Sequence, residues 1–210
     1  MNPAAALALA LAGGYLIGAV PVGLLVARLA GGPDLREIGS GRTGATNAYR
    51  ALGLAGAATV AVLDLGKGVA AALIGGVIGR EAGMSVEWLA AGAALAAVVG
   101  HARSIFIHFR GGRGVATAAG GLLVLAPAAI PLLGAAFALI LWRWRFVSLG
   151  SIVVAILAAP VTVVLVALDL ATPAAVGYAA GIGLLVVAAH ADNIARLRAG
   201  TERRLGTPRP

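Results

Sequence analysis

Two short polar stretches carry most of the groups in this chain that could do chemistry. Gly39 to Arg50 reads GSGRTGATNAYR and offers two arginines, a serine, two threonines, an asparagine and three glycines. Phe109 to Thr117 reads FRGGRGVAT, with Gly111, Gly112 and Gly114 beside Arg113 and Thr117 one helical turn further on. Glycines let backbone amides approach an anion, a helix N-terminus adds unpaired N–H groups with a partial positive charge, and an arginine fork matches a phosphate. Ser40, Thr43, Thr46 and Asn47 add neutral donors between Gly41, Gly44 and the arginines Arg42 and Arg50. The chemistry implied is the binding of an anion. The bland alternative is a pair of surface loops with glycine turns and topology-setting arginines.

Gly39 to Gly44 also fits the G-x-G-x-x-G dinucleotide pattern, but an apolar helical run precedes it where that fingerprint requires a strand. No G-x-x-x-x-G-K-[ST] loop is present. Asp64 and Lys67 are three apart, hence on one helix face, where they either neutralise each other or leave Lys67 as an anion ligand. An H-x-x-x-x-D acyl-transfer pair is absent, because the fifth residues after His101, His108 and His190 are Phe106, Arg113 and Ala195. His190, Asn193 and Arg196 follow one another at helical spacing. With no cysteine and no G-x-S-x-G elbow, nothing marks a covalent nucleophile. Three scattered histidines do not make a zinc site, and neither a metal nor a cofactor is expected.

The elements that must position these groups are membrane helices. Of the 210 residues 60% are hydrophobic and 11% charged, at a mean hydropathy of +0.98, where a soluble domain carries roughly a quarter charged residues. Apolar runs predict an all-α integral membrane protein with one polytopic domain over 1–210 and seven transmembrane segments. These fall near Ala4 to Leu29 with a kink at Pro21, Leu52 to Gly79, Glu87 to Phe106, two within Val115 to Trp142, Phe146 to Leu168, and Pro173 to Ala189. The fourth and fifth, joined near Pro127, are short enough to be a re-entrant pair instead. With the N-terminus outside and the C-terminus cytoplasmic, 14 of the 16 basic residues fall in four cytoplasmic regions, so both glycine-arginine stretches face the cytoplasm. The chain end near 206–210 is expected to be disordered.

In this order the motifs closely resemble the bacterial acyl-phosphate:glycerol-3-phosphate acyltransferase family. The resemblance rests on Gly39 to Arg50, on D-x-x-K-G at Asp64 to Gly68, on G-H-x-x-S-x-F leading into the glycine loop over Gly100 to Thr117, and on H-x-x-N-I-x-R-L with a following G-x-E over His190 to Glu202. Two positions depart from that pattern. Arg42 stands for an asparagine, which makes it the weaker site candidate, and Arg113 stands for a lysine, whose ammonium an arginine fork does not reproduce.

The resemblance implies transfer of a fatty acyl group from acyl phosphate to the sn-1 hydroxyl of glycerol-3-phosphate, at the inner membrane of a bacterium and with the active site facing the cytoplasm. The implied partners are those two substrates and the lipid bilayer, with no nucleic acid. Ser40, Arg50 and Arg113 are expected to hold phosphate, Thr46, Asn47 and Thr117 to orient donor or acceptor, and His190 and Asn193 to shape the acceptor side. Gly41, Thr43, Gly44, Lys67, Gly111, Gly112, Gly114 and Glu202 complete the expected binding set. The proton acceptor is open between a substrate phosphate oxygen, His190 and Glu202. A small-anion transporter is the alternative, although it would place its polar groups near the midplane and usually within repeats. A structural membrane protein that recruits partners through a basic tail is a third.

Overall fold

In hydrocarbon a backbone can satisfy its polar groups only within a helix or a closed barrel, and chains this rich in alanine and leucine choose the helix. The computed structural model describes residues 1–206, all helix and connecting loop, so the expectation for the chain end falls largely outside it. The helices are α1 (Pro3–Ala19), α2 (Val22–Leu29), α3 (Ala45–Glu81), α4 (Val86–Ala102), α5 (Val115–Leu125), α6 (Ala129–Trp144), α7 (Val147–Ala167), α8 (Pro173–Ala189) and α9 (Ala191–Arg198). Asn2 caps α1 by accepting from the Ala4 amide, and Ser85 caps α4 by accepting from the Trp88 amide.

All seven expected segments appear as helices. Four spans are long and apolar enough to cross a membrane, namely Pro3–Leu29, Ala45–Glu81, Val86–Ile107 and Val147–Ala167, and the pair α8 and α9, bent by 61°, makes up to five. The shorter α5 and α6 meet at Pro127, where the two expected short helices join. At 11 residues α5 is about 16 Å long, half the thickness of a hydrocarbon core. The first segment breaks at Val20 and Pro21 as expected of a proline. The second begins earlier than its hydropathy indicated: helix starts at Ala45, and Gly53, with φ 71°, separates that amphipathic opening from the apolar remainder.

Helices in this bundle approach through small residues, which lets backbones come close where no hydrophobic drive separates lipid from protein. A Cβ added at Gly14 or Gly18 of α1 would strike the carbonyls of Ala93 and Ala97 on α4. Likewise Gly68 of α3 faces the Thr117 carbonyl of α5, and Gly120 of α5 faces the Leu65 carbonyl of α3. The main core joins α3 to α8 around Tyr178, whose hydroxyl donates to the Ala118 carbonyl at 3.0 Å. At the α1–α2 break the last carbonyls of α1 find partners from elsewhere in the bundle. Ser104 Oγ donates to Ala19 O at 2.5 Å, and Lys67 Nζ donates to Val20 O at 3.1 Å.

Candidate active site

One cavity of about 1400 Å³ gathers residues from both glycine-arginine stretches, from α7, from the α8–α9 corner and from the segment 201–206. Its mouth carries six arginines, Arg42, Arg50, Arg113, Arg196, Arg203 and Arg204, against the carboxylates of Glu37 and Glu202, and the buried Asp64 also reaches its wall. Its interior turns apolar along Leu122, Ile130, Leu133, Phe137, Val154, Ala158 and Ile182.

Two helix N-termini open into the mouth. Gly44 precedes α3 and Gly114 precedes α5, neither with a side-chain cap, and the wall includes Ala45, Thr46, Val115 and Ala116 from their first turns. First-turn amides have no partner within their own helix and carry the positive end of its dipole, so the mouth concentrates donors suited to an anion. Gly114 can end the loop this way because its φ of 79° is open to glycine at no cost.

Arg113 is largely enclosed, its side chain 16% exposed. Its Nη2 lies 2.8 Å from Asp192 Oδ2, while its Nε is buried with no protein partner among the described residues. Burial pushes the guanidinium below its ordinary pKa, the Asp192 carboxylate opposes that shift, and the nearby Arg42 charge adds to it. Arg196 shares Asp192 Oδ2 at 3.1 Å and gives its Nε to Glu202 Oε2 at 2.7 Å. Glu202 Oε1 also accepts from Ser148 Oγ at 2.8 Å and Asn193 Nδ2 at 2.7 Å. His190 Nδ1 lies 2.8 Å from the Val186 carbonyl, which can only accept. Nδ1 is therefore the N–H, and in the neutral ring Nε2 keeps its lone pair.

Ser40, Gly44, Thr46, Asn47, Arg50, Arg113, Gly114, His190, Asn193 and Glu202 all meet at this cavity. The others sit around it. Asn47 lies in its wall but spends its side chain on the loop: Nδ2 donates to the carbonyls of Leu35, Ile38 and Arg42 at 2.7, 3.1 and 2.9 Å, and Oδ1 accepts from the Ser40 amide at 3.1 Å. Gly39 and Gly41, with φ of 58° and 67°, are turns of that loop, and Thr43 is buried at 3% exposure behind it. Lys67 is committed to Asp64 at 2.9 Å and to the Val20 carbonyl, which departs from its expected place as a phosphate ligand. Thr117 is fully buried against α3. Gly111 and Gly112 lie on the end of α4, where they donate to Ala102 O and His101 O. Glu202 is committed to three partners, and their bonds outweigh burial to hold its carboxyl below the usual range, which makes it a weak proton acceptor.

Sequence reasoning missed Asp192, which anchors Arg113 from 79 residues away, and undervalued Arg42, which lines the mouth. His101, set aside as one of three scattered histidines, reaches the cavity wall beside Asp64.

Residues 8–200 match the family described as Glycerol-3-phosphate acyltransferase. The chain belongs to that family. Curated relatives named glycerol-3-phosphate acyltransferase include one from Syntrophotalea carbinolica, 42% identical over 90% of this chain and 93% of the relative. Another, from Thermus thermophilus, is 44% identical over 91% and 92% of the two chains. Among solved structures, the glycerol 3-phosphate form of PlsY, an integral membrane glycerol 3-phosphate acyltransferase, superimposes with a TM-score of 0.83 at 35% identity, covering 96% of each chain. The lysophosphatidic acid form of the same enzyme gives a TM-score of 0.81 at the same identity and coverage.

Proposed function

We propose that this protein transfers a fatty acyl group from acyl phosphate to the sn-1 hydroxyl of glycerol-3-phosphate, releasing lysophosphatidic acid and inorganic phosphate. The observation that carries the reading is the single cavity whose arginine-lined mouth runs into an apolar interior. Both substrates carry a phosphate and one carries a long chain. A transport site would place its polar groups near the midplane, whereas these gather where the loops meet. Family membership and the glycerol 3-phosphate and lysophosphatidic acid forms of the related enzyme support the same substrates.

The acyl phosphate is an activated mixed anhydride. The acceptor hydroxyl attacks its carbonyl carbon, the bond from that carbon to the bridging oxygen breaks, and inorganic phosphate leaves with that oxygen and the electron pair. No covalent acyl-enzyme is required, and catalysis reduces to positioning and charge stabilisation. Arg113 holds phosphate together with Arg50, Ser40 and the first-turn amides of α3 and α5. Arg42 joins them at the mouth, and Thr46 orients the acceptor. His190 and Asn193 shape the acceptor side, with His190 Nε2 or a phosphate oxygen taking the hydroxyl proton. Purified protein given radiolabelled glycerol-3-phosphate and acyl phosphate is expected to form lysophosphatidate. No product in detergent or in vesicles would remove the enzyme reading.

The chain is read as one seven-span domain in the inner membrane of a bacterium, its N-terminus outside and its site facing the cytoplasm. Supporting this, the helix ends near the cavity carry nearly all the arginines, while the turn between α3 and α4 and that between α7 and α8 carry Arg80 against Glu81, Glu87 and Asp169. Because the chain has no cysteine, single cysteines placed at Gly83 and at Arg110 report sidedness directly. An impermeant thiol reagent added to intact cells should label the first and not the second.

A further inference from the structure

Three ionisable side chains lie deep in the bundle outside the phosphate-binding groups: Asp64 at 2% exposure, Lys67 at 8% and His101 at 7%. Lys67 Nζ sits 2.9 Å from Asp64 Oδ1, and His101 Nδ1 sits 3.3 Å from the same oxygen. Charge balance explains the first pair, since an unpaired ion at this depth is expensive. It does not explain why a histidine shares the carboxylate.

The other side of the imidazole supplies a reason. The Gly112 amide donates to His101 O at 3.1 Å and the Gly111 amide donates to Ala102 O at 3.2 Å, so the glycine loop is hung from the last turn of α4. A Cβ built at Gly112 would collide with His101 Nε2, and one at Gly111 would collide with the His101 carbonyl. The loop therefore lies directly on the ring, and the next residue is Arg113. Asp64 and His101 both reach the cavity wall, whereas Lys67 does not.

We propose that Asp64 and His101 are positioning residues for acyl transfer: Asp64 fixes the imidazole, and the imidazole sets the height of the glycine loop and with it the Arg113 guanidinium. The proposal rests on the reading that Arg113 holds a substrate phosphate.

Steady-state kinetics of the purified full-length protein, with glycerol-3-phosphate varied, test it. D64N and H101A should each raise KM about tenfold with kcat within about threefold and the pH profile of kcat unmoved, the pattern of lost ground-state binding. Combined with R113A, H101A should add less than about twofold to the loss from R113A alone, because coupled residues are not additive. G112A should reproduce the KM effect without touching the buried charges, and G112A combined with H101A should raise KM no further than either change alone, because both act through the same contact. That pair also decides the matter if D64N fails to fold. KM within twofold of wild type in D64N, H101A and G112A, or effects that multiply with R113A, would overturn the proposal while leaving the phosphate reading intact. A large fall in kcat with a displaced pH profile would overturn it by making His101 a direct proton carrier. An R113A enzyme with unchanged KM and kcat would remove the phosphate reading and the proposal together.

Discussion

The two stretches each carry three glycines and two arginines and are held in opposite ways. The first is built from within: Asn47 lies at its centre, bonding three carbonyls and one amide of the segment 35–42, and Gly39 leaves room for its amide oxygen. The second contributes no such side chain and is hung by its backbone on α4 and on the His101 ring, with Arg113 docked on Asp192. Both stretches line the same cavity, but their division of labour differs. In the first stretch a polar side chain builds the loop, whereas in the second the glycines do so and the charged side chain pairs with α9.

Replacing the builder should have the largest effect. Asn47→Ala leaves the Leu35 and Arg42 carbonyls and the Ser40 amide without this partner, while the Ile38 carbonyl keeps the Gly41 amide, and unsatisfied buried groups cost about 1–3 kcal/mol each before relaxation and water entry. A loss of about 2–4 kcal/mol in stability is expected together with loss of activity, read by thermal unfolding and by lysophosphatidate formation. Asn47→Asp should be nearly as damaging, because a carboxylate accepts from Ser40 but cannot donate to the carbonyls. An Asn47→Ala enzyme that melts like wild type but no longer binds glycerol-3-phosphate would show that Asn47 contacts ligand, and the contrast between the loops would fail.

Arg113→Ala should separate the two properties. Removing a cation that holds phosphate is expected to lower kcat/KM by about a hundredfold or more, in the range of about 3 kcal/mol. The unfolding temperature should fall little, since Asp192 retains Arg196. Arg113→Lys keeps the charge but not the fork, so it should lie between wild type and alanine.

A third effect concerns the segment held against α7 and α9. Glu202 joins Arg196, Ser148 and Asn193, and those bonds keep its carboxyl below the ordinary carboxylate range despite burial. A carboxyl depressed in the folded state stabilises fully above its unfolded pKa, and that contribution is lost as pH falls through the folded value. Glu202→Gln should thus be less stable than wild type at pH 7, with the gap narrowing as pH drops below about 4. A gap that stays constant with pH would mean that packing, rather than charge, holds the segment.

What the sequence reveals follows from what is local. Glycine beside arginine, the break at Pro21, the division near Pro127 and the i,i+3 pair of Asp64 and Lys67 are all short-range patterns, and each appears in the structure. The start of α3 at Ala45 was hidden because its opening turns are polar on one side and hydropathy alone reads them as loop. Asn47 looked like a ligand donor because its true partners are backbone carbonyls, which every residue has and no composition reveals. Lys67 pairs with Asp64 as the spacing allows, but its second partner, the carbonyl of Val20 at a helix end 47 residues earlier, leaves no mark in that spacing. Asp192 and His101 acquire meaning only when α9 and α4 are brought against the glycine loop, and no spacing along the chain encodes that meeting.

The smallest expected effect provides the baseline for the contrast. Asp34 and Arg36 form a close ion pair just upstream of the first stretch, Nη2 to Oδ2 at 2.6 Å, with Arg36 Nε between both carboxylate oxygens. By distance alone it is the tightest charge contact among the described residues, and a reading based on geometry would make it the anchor of the loop. Its side chains are 44% and 30% exposed, however, so water and salt screen the attraction, and fixing two mobile side chains offsets much of the remainder. Arg36→Ala is therefore expected to change stability by less than about 0.5 kcal/mol and to leave KM for glycerol-3-phosphate unaltered. If Arg36→Ala instead matched Asn47→Ala in unfolding temperature, the loop would be fastened from its surface, and the distinction between an internally built loop and a hung one would be lost.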